Sequence, residues 1–403
     1  MPADTSNLQS WHTIRPARYS HWWGVKVLDG NKVFIFRGLP LVADSRTVRN
    51  GNFFTQVQFH TWEKKDKSDY AGRDVVSYPL AKDGGGMALK YPLYLIYLFL
   101  FSLFKVRGRD TCMCMDLDTF VPVWLGSFFK RTTLIFDVVD PASQGRFKKF
   151  PFSRLVDKVE YFFIKRATLA TFPHACRTQY YEDSLGVKFA GVNTFVIENM
   201  PSFILKQPAS ASVCARDESG KVVIGYFGTL DGSRGLALLM DFARANADKI
   251  QVLVAGDGPL KSYVQNLCDE VENIKFLGRY TPDQLGPLYE SVHFSWMYYD
   301  PGISLHRYAA PNKFYEHLCF NVPVLTNSII PQARFVDENC TGIVLDKPGE
   351  GLMVGDAISD SLVRKLEGFK PGRALNEYWG QQCATYYEDI AERFRALIVE
   401  ARK

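Results

Sequence analysis

From residue 222 onward the chain repeats one pattern: a short apolar run rich in β-branched and aromatic residues, a glycine-bearing turn, then a helical stretch. Strands are expected at Val222–Phe227, Gln251–Ala255, Ile274–Phe276, His293–Met297 and Val324–Thr326. Helices are expected at about Leu236–Asn246, from the Gly256-Asp-Gly-Pro259 turn to Val271, after Thr281, and at Pro311–Phe320. Strands that alternate with helices lie parallel in one sheet, so this half reads as a Rossmann-like α/β domain. The first half shows the same alternation with less regular punctuation, and strands are expected at Val33–Arg37, Gln56–Thr61, Thr111–Met115, Thr133–Asp137, Ala170–Phe172 and Thr194–Ile197. Between the halves, Pro201–Ser219 is rich in Ser, Ala and Pro and reads as the connection. The expected organisation is a first domain over 1–200, a second over 201–375 and an amphipathic helix over 376–403.

Two domains also suit the length, because 403 residues exceed what one hydrophobic core usually supports. A hydrophobic content of 47% with 23% charged residues excludes a disordered chain. The eight cysteines form one C-x-C and no C-x-x-C, which argues against a disulfide framework or a zinc ribbon and for reduced thiols in a cytoplasm. Met1–Pro16 lacks the apolar run and small-residue cleavage site of a secretory signal. The longest apolar stretch, Leu93–Phe104, is bracketed by Lys90, Lys105, Arg107 and Arg109. It falls short of the roughly 20 residues that span a bilayer and reads as a buried or interfacial helix.

Charge is distributed unevenly. Residues 1–200 hold 27 Lys and Arg against 18 Asp and Glu, whereas the remainder holds 21 against 25. Much of the excess lies in 146–166, where basic residues interleave with Phe147, Phe150, Phe152, Leu155, Val159, Phe162 and Phe163. Such a segment is either a surface element for anionic lipid or a core helix whose Phe stripe packs inward. No nucleic-acid recognition motif accompanies it.

Two turns, Gly228-Thr-Leu-Asp-Gly-Ser-Arg-Gly235 and Ala255-Gly-Asp-Gly-Pro259, join strands to helices, where free N–H groups and the helix dipole favour phosphate. Neither matches G-x-G-x-x-G or the phosphate loop of NTPases, which disfavours a dinucleotide oxidoreductase or a P-loop enzyme. Arg234 stands ready to face a diphosphate. In Tyr308-Ala-Ala-Pro-Asn-Lys313-Phe-Tyr-Glu316, Pro311 suits a first helical turn, and Lys313 and Glu316 share a face. Lys313 there can meet phosphate and Glu316 a ribose diol. Alternatively the two form a surface ion pair.

The runs VVIGYFGTLDGSRGLALLMDFA, VLVAGDGPL, IKFLGRYTPDQLGPLYESVHFSW and APNKFYEHLCFNVPVLTNS resemble the carboxy-terminal domain of GT-B fold glycosyltransferases of the retaining family 4 type. PLVADSRTVRN and MDLDTFVPVWLGSFFKRTTLIFDVVD are similar to that family's amino-terminal motifs. The resemblance implies two Rossmann-like domains facing across a cleft, with the last helix returning to the first domain. It implies that Gly228, Thr229 and Gly256 approach the donor phosphates, that Arg234 and Lys313 neutralise them, that Glu316 binds the ribose, that Asn312 and Tyr308 belong to the donor-binding set, and that the backbone at Arg279 and Tyr280 reads the base. It implies a UDP- or GDP-linked sugar as donor, a saccharide or lipid-linked saccharide as acceptor, and no bound metal or further cofactor.

This sequence departs from the family at two points. Tyr308 stands where the family's first glutamate contacts the donor sugar, and Met115 stands where it has a cleft histidine. His306 or Asp300 can substitute for the missing groups, or serve the loop. Asp116 is the foremost catalytic carboxylate, with Asp44 and Asp140 as further candidates for a general base. The expected activity is sugar transfer in surface polysaccharide assembly, at the inner membrane face, with membrane contact through 93–104 and 146–166. A nucleotide-sugar epimerase of the same fold and a non-catalytic membrane-associated partner are the alternatives.

Overall fold

The computed structural model describes residues 32–62 without 42, 43 and 55, 73–78, 87–201 without 146 and 149, 220–376 without 282 and 283, and 379–400. The expected connection after Pro201, the amino-terminal residues 1–31, and the basic residues Arg146 and Lys149 lie outside the described residues.

The first half contains β1 (Val33–Arg37), α1 (Ser45–Gly51), β2 (Val57–Thr61), β3 (Asp74–Ser77), α2 (Met87–Phe104), β4 (Thr111–Met115), α3 (Leu117–Gly126), β5 (Thr133–Asp137), α4 (Ser153–Ile164), β6 (Leu169–Phe172), α5 (Cys176–Leu185) and β7 (Thr194–Val196). The seven strands form one parallel sheet in the order β3-β2-β1-β4-β5-β6-β7. Strands β1, β4 and β5 are buried at every residue, which explains why their middles are apolar and polar residues stand only at their ends: a central parallel strand is covered on both faces.

The second half contains β8 (Val222–Thr229), α6 (Leu236–Ala245), β9 (Ile250–Asp257), α7 (Lys261–Glu270), β10 (Ile274–Phe276), α8 (Leu285–Glu290), β11 (Phe294–Met297), α9 (Asn312–Cys319), β12 (Val324–Thr326), α10 (Ala333–Glu338) and β13 (Gly342–Val344). Its sheet runs β10-β9-β8-β11-β12-β13. A two-stranded hairpin, β14 (Met353–Val354) and β15 (Ala357–Ile358), precedes α11 (Ser361–Glu367), α12 (Arg373–Asn376) and α13 (Trp379–Glu400).

In both sheets the order of strands therefore reverses beside the first strand, between β1 and β4 and between β8 and β11. Loops diverge there at the carboxyl ends of the strands and leave a crevice for ligands. Arg37 and Asp116 stand at the first reversal, and Gly228 and Tyr299 at the second.

Helix α13 does return to the first domain, where Phe394 packs against Phe53, Phe54 and Phe195 at centroid distances of 5.7, 5.9 and 5.7 Å. One apolar cluster joins the parts, running from Ile35 and Met113 through Met297, Phe314 and Leu318 to Ile390 and Phe394. Among the described residues no helix is long and apolar enough to cross a membrane. Pro311 differs from expectation by one position: it caps α9, which begins at Asn312.

Candidate active site

Near the end of strand β8 stands Gly228, whose φ of +154° disfavours a side chain. A Cβ there would lie 3.3 Å from Lys313 Nζ, so the absent side chain leaves room for the ammonium group. Lys313, in the first turn of α9, donates to the Phe227 carbonyl and lies 4.2 Å from the Tyr226 ring centroid. Burial pulls its pKa down to about 8; Glu316 pulls it up and Arg234 pushes it further down. Glu316, one turn on, accepts from the buried Tyr289 hydroxyl at 3.1 Å. Burial raises its pKa, while Lys313, Tyr289 and Arg49 oppose the rise. Lys313 and Glu316 thus share a polar recess without closing an ion pair, and the surface-pair alternative falls.

Arg234 ends a 3-10 turn, Gly232–Arg234, that Asp231 caps by accepting from the Ser233 amide at 2.9 Å. Its carbonyl accepts from the Trp296 indole at 2.9 Å, and its guanidinium stacks 4.2 Å from the Tyr299 centroid. The Nη1 atom is buried without a hydrogen-bond partner, a donor short of an acceptor. Tyr280 is half-buried beside Glu316 and Tyr226, and burial together with those groups raises its phenol.

Other expected residues stand elsewhere. Thr229 is exposed at the strand end, and the Arg279 side chain is exposed. Gly256 is buried behind Gly228: a Cβ would come within 1.8 Å of the Gly228 carbonyl oxygen, so this glycine lets two strands meet rather than touching a ligand. Asn312 Oδ1 faces Arg49 of the first domain at 3.5 Å. Tyr308 turns away from Lys313, because it ends a separate 3-10 segment, Ser304–Tyr308, packed on α5. Its hydroxyl donates to Asp183 at 2.5 Å and its ring meets Tyr180 edge-on at 5.6 Å. Asp300 accepts from the Gly302 amide at 2.8 Å, and His306 Nδ1 lies 2.8 Å from the Asp300 carbonyl, so both serve the loop.

On the facing side, Asp116 has a φ of +69° and ψ of 166°, a conformation that stores strain in a non-glycine residue. It accepts from Arg37 and from the Val139 amide, the latter at 3.1 Å. Burial lifts its pKa to about 6; Arg37 opposes this, while Asp118 and Asp140 add to it. Asp44 loses its candidacy as a base. It caps α1 through the Arg46 and Thr47 amides, each at 3.1 Å, and pairs with Arg37 at 2.5 Å. Burial would raise its pKa, but Arg37 and Thr47 more than offset that and hold it low. Asp140 pairs with Arg177 at 2.6 Å while its own side chain stays 54% exposed.

Several groups had no single-residue signal. Arg46 grips Asp137, at the end of β5, through two bonds of 2.8 and 2.6 Å, and reaches the Ile197 carbonyl at 2.6 Å. Its motif and the strand ending in Asp were each visible in sequence, but their pairing is tertiary. Tyr299 lies between the two halves: burial raises its phenol, Arg234 and Arg177 lower it, and Glu316 and Asp140 raise it.

Comparison with known proteins accords with this geometry. Residues 221–363 match the family model described as glycosyl transferases group 1. The chain resembles that family. Within curated proteins, the succinoglycan biosynthesis protein ExoL of Rhizobium meliloti (strain 1021) is 30% identical over 129 residues, which is 30% of this chain and 32% of that protein, so the match spans about a third of the curated relative. Of solved structures, sucrose-phosphate synthase from Thermosynechococcus elongatus superposes with a TM-score of 0.65 at 13% identity, over 92% of this chain and 99% of the other. Anabaena Alr3699/HepE in complex with UDP and glucose gives 0.63 at 14% identity, over 90% and 97%. At those identities the likeness is one of fold, and the fold is GT-B: two Rossmann-like domains facing across a cleft.

Proposed function

We propose that this protein transfers a sugar from a nucleotide diphosphate sugar, UDP- or GDP-linked, to a hydroxyl acceptor. The observation that carries the reading is the convergence of Lys313, the unpartnered Nη1 of Arg234 and the bare backbone of Gly228 at the reversal between β8 and β11. The group 1 match over the same residues supports it, and a solved relative of the same fold holds UDP and glucose.

The departing diphosphate gains negative charge as the glycosidic bond breaks. Lys313 and Arg234, fixed in a half-buried recess, stabilise that charge more in the transition state than in the ground state. Glu316 accepts from the ribose hydroxyls, and the Tyr280 backbone flanks the base. The acceptor enters from the first domain, where Asp116 receives its hydroxyl. With protein cations carrying the leaving group, the reaction runs without a metal. The incoming hydroxyl then gives its proton to the departing phosphate on the same face, which retains the anomeric configuration. The succinoglycan biosynthesis role named for ExoL supports an acceptor in polysaccharide assembly; a saccharide carried on a lipid is the form of acceptor we propose.

A donor screen by nucleotide release, followed by NMR of the anomeric linkage, tests the reading. Arg234→Ala and Lys313→Ala are each expected to lower turnover by about 100-fold, as for loss of an oxyanion-type donor. Unchanged rates would remove the assigned roles. Incubation with donor alone separates transfer from epimerisation, because only the epimerase converts donor without an acceptor.

A further inference from the structure

Helices α2, α3, α4 and α5 lie side by side on one face of the first sheet, over Phe36, Phe136 and Phe172. Their outward side is unusual. On α4 the carboxylates Asp157 and Glu160 point inward, 3% and 0% exposed, whereas Phe152, Leu155, Val159 and Phe162 face out at 41–61%. These four recur at helical spacing and form one stripe. Of the two alternatives for 146–166, the described residues thus favour the outward stripe for these four, while Val156, Phe163 and Ile164 turn in, Phe163 against Trp124 at 5.4 Å.

Helix α2 carries a parallel stripe of Leu93, Ile96, Leu100 and Phe104, exposed at 43–73%. A groove of about 440 Å³ runs along it, with Tyr97 on its wall and Lys105 at its end. Helix α3 fits tightly between, since a Cβ on Gly126 would meet the Phe99 carbonyl at 2.5 Å. Just past α3, Phe128 and Phe129 are 56% and 96% exposed, and Trp124 bridges Phe128 to Phe163.

The border of this apolar face is cationic. Lys105, Arg107, Arg131, Lys148, Arg154, Lys158, Lys165 and Arg166 are exposed. Between residues 87 and 168, the described carboxylates are buried or stand at the cleft: Asp110, Asp157 and Glu160 are buried, and Asp116, Asp118, Asp137 and Asp140 stand in or beside the cleft network. A second copy docked on this face would set one cationic border against another, at an electrostatic cost. An anionic bilayer complements it.

We propose that the outer face of α2–α4 docks on an anionic lipid leaflet, its Phe and Leu stripes entering the headgroup boundary and the α2 groove taking one lipid chain. Helices with bulky apolar residues on one side and Lys or Arg beside them lie in the interface plane, with binding that depends on anionic lipid. The inference stands on this face alone and does not require sugar transfer.

The test is co-sedimentation of the full chain with phosphatidylcholine vesicles and with phosphatidylcholine–phosphatidylglycerol vesicles, at low and high salt. Binding to the anionic vesicles is expected at low salt, at least about tenfold tighter than to the neutral ones, and weakening as salt screens the border. Phe104→Ser with Phe129→Ser, both exposed and outside the cleft, is expected to lower binding by about tenfold or more while calorimetric UDP or GDP affinity stays at the wild-type value. Arg154→Glu with Lys158→Glu is expected to abolish the preference for anionic lipid, and Leu100→Asp to weaken binding from within the groove. Absence of wild-type binding at low salt, or variants that bind as wild type does, overturns the proposal. So does a dimer in sedimentation velocity that the Phe104→Ser, Phe129→Ser pair dissociates. Failure of nucleotide binding in wild type would instead strike the transfer reading and leave the vesicle result to stand by itself.

Discussion

Lys313 offers a test in which proton uptake reports the diphosphate directly. Burial lowers its pKa from 10.5 to about 8. That gap corresponds to on the order of 3 kcal/mol of penalty on the charged form, an upper bound because the side chain keeps some solvent contact. Below pH 8 the native protein holds the ammonium at this cost. As pH rises through 8 the native state releases the proton while the unfolded chain keeps it to about 10.5, so stability contributed by this group climbs across that window. A bound diphosphate does the reverse: it stabilises the ammonium, raises its pKa and draws a proton from solution. Uptake of roughly 0.1, 0.5 and 0.9 protons per nucleotide is therefore expected at pH 7, 8 and 9. Calorimetric titration of UDP or GDP in buffers of different ionisation enthalpy measures it. Lys313→Met keeps the aliphatic stem, and it is expected to abolish the uptake and lower affinity by about 10- to 150-fold, the worth of a charge-assisted contact. Identical apparent enthalpies in all buffers at pH 8 and 9, or the same uptake in Lys313→Met, would refute the assignment.

Other expectations follow from the same geometry. Transfer should rise with pH through about 6 as Asp116 ionises, and Asp116→Asn should flatten the rise in a pH–rate profile taken at saturating donor. Gly256→Ala places a methyl 1.8 Å from the Gly228 carbonyl oxygen; a loss of at least about 1–3 kcal/mol is expected, which calorimetric melting reads as a fall of roughly 2–4 °C per kcal/mol. Tyr308→Phe removes a hydroxyl bonded to Asp183, away from Lys313, so nucleotide affinity should stay within about twofold; a tenfold loss would mean that the residue sits at the donor after all. Asp137→Asn breaks a fully buried pair with Arg46, and a chemical denaturation loss of about 3–5 kcal/mol is expected.

The fold was legible wherever a central strand had to be apolar on both faces. Val33–Arg37, Thr111–Met115, Thr133–Asp137 and Val324–Thr326 were expected at the bounds observed, and so was the edge strand Ile274–Phe276, which its flanking turns delimit. Strand β3, Asp74–Ser77, escaped because an edge strand with one charged and one hydroxyl end leaves no such run. Strand β13 is three residues long and opens with Gly342, which is small because Val324 presses on it. In the site, Lys313 and Glu316 were legible because helical spacing fixes which residues share a face. Tyr308 was not, since counting eight residues back from Glu316 cannot show that it ends a separate 3-10 segment that faces the other domain. The Arg46–Asp137 bond joins residues 91 positions apart, and no local pattern encodes it. Asp44 illustrates the converse: a carboxylate that sequence offers as a base is already committed to a helix cap and a guanidinium.

The bond from Arg46 to the Ile197 carbonyl, with a second to Asn199 at 3.0 Å, ties the exit strand of the first domain to the same guanidinium that holds Asp137. Asn199 in turn donates to the Ala310 carbonyl at 2.8 Å, and Glu198 beside it accepts from the Tyr315 hydroxyl at 2.9 Å, so this guanidinium stands one residue away from the second half. A single buried side chain thus joins the end of β5 to the seam between the domains, and loss of the Arg46–Asp137 pair would be felt at that seam as well as in the first sheet.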